Sequence, residues 1–279
     1  MTDLISVIVA TYNRPDALDA VLRGLSRQTD RGFETVIADD GSGPETGQTI
    51  KRWAAAMDTP LTHVWHEDLG FRLAEIRNRA ILRSRGVYCI FLDGDCIPRP
   101  DFVAAHRRLA EPGWFVAGNR VLLSRALTER VIAEGLEPEN WGLAKVLRQR
   151  LSGGVNRIAA LLTFPLGALR RINATRWQGA RGGNLAIFRR DLDRVDGFDA
   201  AFSGWGREDS DIIVRLVRSG IRRKDGRFAT GVLHLWHPEN DRSSLKDNQS
   251  RLDEAIAATR TRALCGLSSL AASSHPAET

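Results

Sequence analysis

Val87-Tyr88-Cys89-Ile90-Phe91-Leu92-Asp93-Gly94-Asp95 (VYCIFLDGD) is a strongly apolar run that stops abruptly in two carboxylates. Apolar side chains at successive positions mark a strand buried on both faces, the environment of a parallel sheet flanked by helices. Upstream the pattern recurs. Residues 4 to 10 (LISVIVA) and 33 to 38 (FETVIA) read as strands, and a shorter one is expected over 61–66. Between them lie helical periodicities, with apolar positions at Ala17, Leu18, Val21, Leu22 and Leu25, then helices over 44–57 and 73–85. Strand and helix thus alternate four times in the first hundred residues, so the expected fold is α/β with a mostly parallel central sheet. In such sheets ligands bind beyond the carboxyl ends of the strands. Here those ends carry Thr11 to Arg14, Asp39-Asp40 and Asp93-Gly94-Asp95.

Beyond Pro98 the periodicity changes. A helix over 101–109 and a strand over 114–117 are expected to precede a long helical segment reaching about residue 164, with Leu143, Val146, Leu147, Leu151, Val155, Ile158, Leu161 and Leu162 at helical spacing. Gly182-Gly183 reads as a turn entering a strand over 184–188. A helix over 191–195, another opening at Glu208, a strand over 231–236 and a helix over 245–259 complete the pattern, and the Ser/Ala-rich end from Ser268 is expected to be disordered.

With 279 residues, 43% hydrophobic and 27% charged, the chain can bury a full core without staples. Its three scattered cysteines argue against a disulfide framework or a cysteine zinc site and favour a reducing cytoplasm. The amino terminus has no basic n-region and reads as a strand instead of a signal peptide, and no stretch offers the roughly 20 apolar residues of a membrane span. The net charge of +6 is uneven. From Asn140 to Arg190 there is no acid, while Lys145, Arg148, Arg150, Arg157, Arg170, Arg171, Arg176, Arg181, Arg189 and Arg190 are all present. An anionic partner is implied. Nucleic acid is disfavoured, because aromatic residues do not interleave with the basic run.

The polar constellations suggest chemistry. Asp93 and Asp95 around Gly94 can approach a hard divalent cation, and His234 and His237 on a late strand can complete its ligands, a donor set that suits Mn²⁺, with Mg²⁺ the oxygen-preferring alternative. Asp39-Asp40-Gly41-Ser42 is either a solvated turn or a carboxylate site for a base N–H. Arg72, Arg77 and Arg79 surround a helix start suited to phosphate. Gly204-Trp205-Gly206-Arg207-Glu208-Asp209-Ser210-Asp211 (GWGREDSD) crowds three acids at another helix start. The helix dipole favours anions there, so Glu208 and Asp209 are expected to be ionised and Asp211 to serve the cap.

The segments VIVATYNRPDAL, IADDGSG, GFRLAEIRNRAI, FLDGDC, RGGNLAIF, GWGREDSD and HLWHPE occur in the order found in inverting, metal-dependent glycosyltransferases. The chain resembles glycosyltransferase family 2 from residue 5 to about 240, with a carboxyl-terminal part similar to β-1,4-galactosyltransferases and chondroitin-polymerase domains. The resemblance implies a GT-A (Rossmann-like) fold in one domain over 1–240, with a nucleotide-binding half over 1–100, an acceptor and metal half over 101–240 that includes a basic helical insert over 125–178, then a helix over 241–267 and a tail over 268–279. It implies transfer of a hexosyl or N-acetylhexosaminyl group from a nucleotide-sugar, best a UDP-sugar, to a glycan or lipid-linked glycan. Thr11, Asn13, Arg14, Asp39, Asp40, Arg72, Arg77, Asn78, Asp93, Gly94, Gly182, Gly183 and Asn184 resemble nucleotide-sugar contacts. Asp95, His237 and His234 resemble the metal ligands, Trp205 and Glu208 the acceptor contacts, and Asp209 the catalytic base. Arg207 stands where the galactosyltransferases have a glycine, and Ser210 where they have a third acid, which leaves the acceptor open.

Two readings attach to residues 141–181. An amphipathic stretch either packs on the core or, being basic and acid-free, lies on a membrane surface at the inner face of the cell. Rival functions on the same fold are a nucleotide-sugar-binding module, a hydrolase and a nucleotidyltransferase, none of which needs a Trp-Glu-Asp platform.

Overall fold

The computed structural model describes residues 3–273. Its first half follows the expected alternation: β1 (Ile5–Thr11), α1 (Pro15–Ser26), β2 (Phe33–Asp39), α2 (Pro44–Ala56), β3 (Leu61–Trp65), α3 (Leu73–Arg83) and β4 (Tyr88–Asp93). β1 pairs in parallel with both β2 and β4, and β2 with β3. Then come β5 (Cys96–Pro98), α4 (Phe102–Leu109), β6 (Trp114–Ala117), β7 (Arg120–Leu122), α5 (Arg125–Ala133), α6 (Leu143–Leu151), β8 (Asn184–Phe188), α7 (Arg189–Val195), α8 (Glu208–Arg218), β9 (Arg222–Asp225), β10 (Val232–His234), α9 (Leu245–Ala257) and α10 (Leu267–Ser273). Seven strands form one sheet in the order β3-β2-β1-β4-β8-β6-β9, with β8 antiparallel to its two neighbours, and β5-β10-β7 form a second, smaller sheet.

Alternate residues of the central strands feed two cores. Val7 and Val9 of β1 and Ile90 and Leu92 of β4 pack with α1, α4 and α5. Ile8, Ala10, Cys89 and Phe91 face the other way, toward α3, α7 and α8. Because both faces are apolar, alternation alone does not set the register of these strands; the acids at their ends do, since slipping one inward would bury an unpaired charge. The observed register brings Thr11 beside Asp39 and Ala10 beside Asp93, so the polar ends line one edge.

The second half departs from expectation. The apolar periodicity over 143–162 does not make one helix: α6 ends at Leu151, Gly153 takes a positive φ of 76°, and only short 3-10 turns follow at Ala159–Leu161 and Gly167–Arg171. β9 (RRKD) has no apolar signal; it forms because β6 offers a free edge and because Lys224 Nζ donates to Leu109 O and pairs with Glu111. The Ser/Ala-rich end is helical through Ser273, held by the buried Leu267 and by Asp196, which accepts from the Ser268 N–H and Oγ–H. Residues 274–279 of the expected tail lie outside the described residues.

Candidate active site

β4 ends at Asp93, and the chain turns through Gly94, whose N–H donates to Ala10 O at 2.7 Å, into β5. β10 pairs antiparallel with β5 and sets His234 opposite Cys96, which carries the histidines to the turn. Asp95 Oδ2 then lies 3.5 Å from His234 Nε2 and 3.4 Å from His237 Nε2. These gaps are long for hydrogen bonds and suit three donors around one cation with bonds of about 2 Å. The ring contacts agree. His237 Nδ1 sits 2.6 Å from Pro238 O and donates to it, which turns Nε2 toward Asp95. Burial pushes the His234 pKa below its ordinary value against the pull of Asp95. One carboxylate with two imidazoles is a donor set for a divalent metal ion.

Asp93 points elsewhere. Its Oδ1 accepts from Arg77 at 3.1 Å, and its Oδ2 lies 3.7 Å from Arg120 Nη1. Arg77, on α3, is 2% exposed, lies 5.2 Å over the Phe198 ring, and reaches Glu208 Oε1 at 3.4 Å with its other arm. The guanidinium is thus a strut between the β4 end and α8. Expected as a nucleotide-sugar contact, Arg77 has both arms engaged by protein carboxylates. The glycine pair fits around this strut: a Cβ on Gly183 would lie 2.0 Å from Asp93 Oδ2, and one on Gly182 2.7 Å from Arg77 Nη1. Any side chain there would break the bridge.

The acids of α8 divide. Glu208 is buried, and burial with the neighbouring Asp209 charge pushes its pKa up to about 7 despite Arg77. The helix dipole therefore does not keep both acids fully ionised as expected; desolvation outweighs it. Asp209 is only partly buried, accepting from the Gly182 N–H and from Ser210 Oγ, each at 3.3 Å. Asp211 is no cap. It is fully buried in a two-pronged ion pair with Arg215 at 2.7 and 2.8 Å, and Arg215 also donates to Val195 O and Gly197 O. Trp205 has one face covered by Arg242, 5.3 Å from the ring centre.

At the far end of the crevice, Asp39 accepts from the Ser42 N–H and meets His63 Nε2 at 2.8 Å, while Asp40 meets His66 Nε2 at 2.7 Å and accepts from the Arg72 N–H at 2.9 Å. Burial raises the Asp40 pKa, with His66 opposing. The sequence reading missed both histidines, although their place on and just after β3 was a signal. It also missed Arg120, which nothing in its three-residue strand advertises. Thr11 Oγ1 is buried without a partner at this edge. Asn13 accepts from the Gly43 N–H, and Arg14 pairs with Asp16 at 2.9 Å.

Two residues expected as donor contacts are tied into the fold. Asn78 is fully buried, with its amide bonded at both ends to the Phe198 backbone. Asn184 is also buried, bonded to His106, Asn119 O and Thr230 O. Both amides brace loops from inside the fold.

The profile of glycosyl transferase family 2 matches residues 6–165, and that of the N-terminal domain of galactosyltransferase matches residues 173–237. Among curated relatives, the validoxylamine A glucosyltransferase of Streptomyces hygroscopicus subsp. jinggangensis is 29% identical over 82% of this chain and 55% of that protein. The chondroitin synthase of Escherichia coli is 25% identical over 81% of this chain and 34% of its own. The chain therefore spans about half the length of the first and a third of the second. Among solved structures, the mannosyltransferase PcManGT from Pyrobaculum calidifontis in complex with GDP-Man and Mn²⁺ superposes with a TM-score of 0.61 at 19% identity, covering 92% of this chain and 65% of that one. Staphylococcus aureus TarS 1-349 in complex with UDP-GlcNAc gives 0.62 at 15%, covering 91% and 66%. These structural matches establish the fold that the two chains share with this one.

Proposed function

The chain belongs to glycosyltransferase family 2, and from that premise we propose that it transfers a sugar from a UDP-sugar to a hydroxyl of a glycan or lipid-linked glycan, with inversion at the anomeric carbon. The observation that carries this reading is the pairing of two groups: an Asp95, His234 and His237 triad arranged for one divalent cation, and a partly exposed Asp209 held by the Gly182 N–H. When bound there, Mn²⁺ would offset the charge that grows on a leaving diphosphate. Asp209 takes the proton of the acceptor hydroxyl as it attacks. Arg77 holds Asp93 and Glu208 apart at fixed distance, so the donor and acceptor ends keep their spacing. No second carboxylate is required as nucleophile, which is why a single displacement is the economical mechanism.

Screening UDP-, GDP- and dTDP-sugars for thermal stabilisation with Mn²⁺ and with EDTA tests the donor and the metal together. Stabilisation by a UDP-sugar that EDTA abolishes is expected; stabilisation untouched by EDTA rejects the metal site. The anomeric configuration of the product, read by NMR, checks inversion.

Peripheral membrane contact through 141–181 is the second part of the proposal. Leu143, Leu147 and Leu151 stand one turn apart on α6 and are 60%, 44% and 83% exposed, and Phe164, Leu169 and Ile172 are exposed as well. Core packing accounts for Val146 but leaves this stripe uncovered, whereas an anionic lipid surface suits both the leucines and the acid-free charge. Among the described residues no helix is long and apolar enough to cross a membrane.

A further inference from the structure

Three of the four residues leading into α8 have positive φ: Gly204 at 74°, Gly206 at 105° and Arg207 at 79°. Glycine adopts this geometry without steric penalty, and the chain supplies it at the first two positions. At the third, directly before Glu208, it places an arginine in a conformation that a side chain resists.

Nothing in the fold explains that choice. Arg207 Nε is buried without a hydrogen-bond partner, and among the described residues its guanidinium enters no ion pair, hydrogen bond or ring contact. The acids beside it in sequence are engaged elsewhere: Glu208 with Arg77, Asp209 with Gly182 and Ser210, Asp211 with Arg215. Arg181 is exposed, its side chain is likewise without a partner among the described residues, and it precedes the Gly182 whose N–H holds Asp209. Both arginines, whose side chains lack a counter-ion among the described residues, adjoin the Asp209 hydrogen bond in the chain: Arg181 directly precedes Gly182, and Arg207 stands two residues before Asp209. Strained backbone and unpaired polar groups persist where a ligand completes them, and a guanidinium fork is shaped for an oxyanion.

We propose that Arg207, seconded by Arg181, binds an oxyanion of the acceptor, so that the acceptor is an acidic glycan bearing a carboxylate or phosphate near the hydroxyl that is glycosylated. This deepens the proposed function and rests on its placement of Asp209 at the acceptor end.

Calorimetry on the whole chain with saturating UDP and Mn²⁺ tests it with three probes: a glucuronide-terminated disaccharide, its carboxyl-reduced neutral counterpart, and a phosphate-bearing glycoside. The wild type should bind at least one acidic probe about tenfold or more tightly than the neutral one, and the stronger acidic probe identifies the anion. Arg207→Gly should reduce that preference to threefold or less and raise Tm by about 2 °C or more, because glycine relieves the backbone. Arg207→Asn, which tolerates the same conformation, should repeat the loss of preference. Equal binding of all three probes by the wild type, an undiminished preference in both variants, or a matching loss of UDP affinity would each overturn the proposal, the last by assigning the anion to the donor. Asp209→Asn separates the two readings. If that variant still transfers sugar, the base assignment fails, while the probe preference continues to report on Arg207.

Discussion

The end of β4 and the segment after Trp141 are built by opposite rules. Around Asp93 and Asp95 the charged side chains face one another at set distances, and they come from separate elements that include β4, α3, β10 and α8. After Trp141 the leucines of α6 stand in solvent while arginines neighbour them in the chain. One region has its charged groups facing one another within the molecule, and the other has its apolar face unmet. On the proposed reading, the difference separates side chains fixed by burial, so that chemistry occurs at set distances, from side chains left exposed for a surface that is not part of the chain.

Changes at the buried end should have the larger effects. Asp209→Asn is expected to lower the transfer rate by about 10³-fold while the UDP affinity stays within a factor of about two, measured by steady-state assay and calorimetry; near-normal transfer would remove Asp209 as the base. Arg77→Met leaves Asp93 and Glu208 facing each other without the bridge. It should destabilise the fold by about 3 kcal/mol in urea unfolding, and a loss below about 1 kcal/mol would show that the strut is not structural.

Glu208→Gln should act with a pH signature. The folded-state pKa of Glu208 is raised to about 7 from an ordinary 4.5, so the native protein holds the proton more tightly than the unfolded chain and loses stability as pH rises through that window. The glutamine carries no such penalty. Its stability relative to wild type should therefore improve by on the order of 2 kcal/mol between pH 4.5 and pH 8, and a pH-independent difference would mean that Glu208 titrates normally.

The smallest change is expected in the exposed region. Replacing Leu143, Leu147 and Leu151 together by Gln should weaken association with vesicles containing anionic lipid by about tenfold, and should alter unfolding by less than about 0.5 kcal/mol. Equal loss of stability and binding would return the stripe to the core, and no wild-type association at low or high salt would reject the membrane contact.

Much of the buried end was legible because its signals are local. An apolar run stopped by DGD, two histidines at and just beyond the end of a short strand and a glycine pair before another are each visible within a few residues, and strand order then brings them together. The signals were silent on which way a side chain turns. Asn78 and Asn184 sit in the right segments, yet their amides close hydrogen bonds to Phe198, Asn119 and Thr230 that no spacing announces. The helical periodicity of 143–162 was equally misleading, since glycines and the lack of a covering element leave most of it without a helix to complete.

By itself the amino-acid sequence determined the alternation of strand and helix, the parallel sheet and the set of acids and histidines at its edge, because hydrophobic periodicity and turn chemistry are properties of neighbouring residues. Only the tertiary structure decided that Arg77 ties Asp93 to Glu208, that Asp209 is the accessible acid and Asp211 a buried partner of Arg215, and that Arg207 is left unpaired. Those outcomes depend on which groups lose water together and which find a partner across the fold, and pairing at a distance is what packing alone selects.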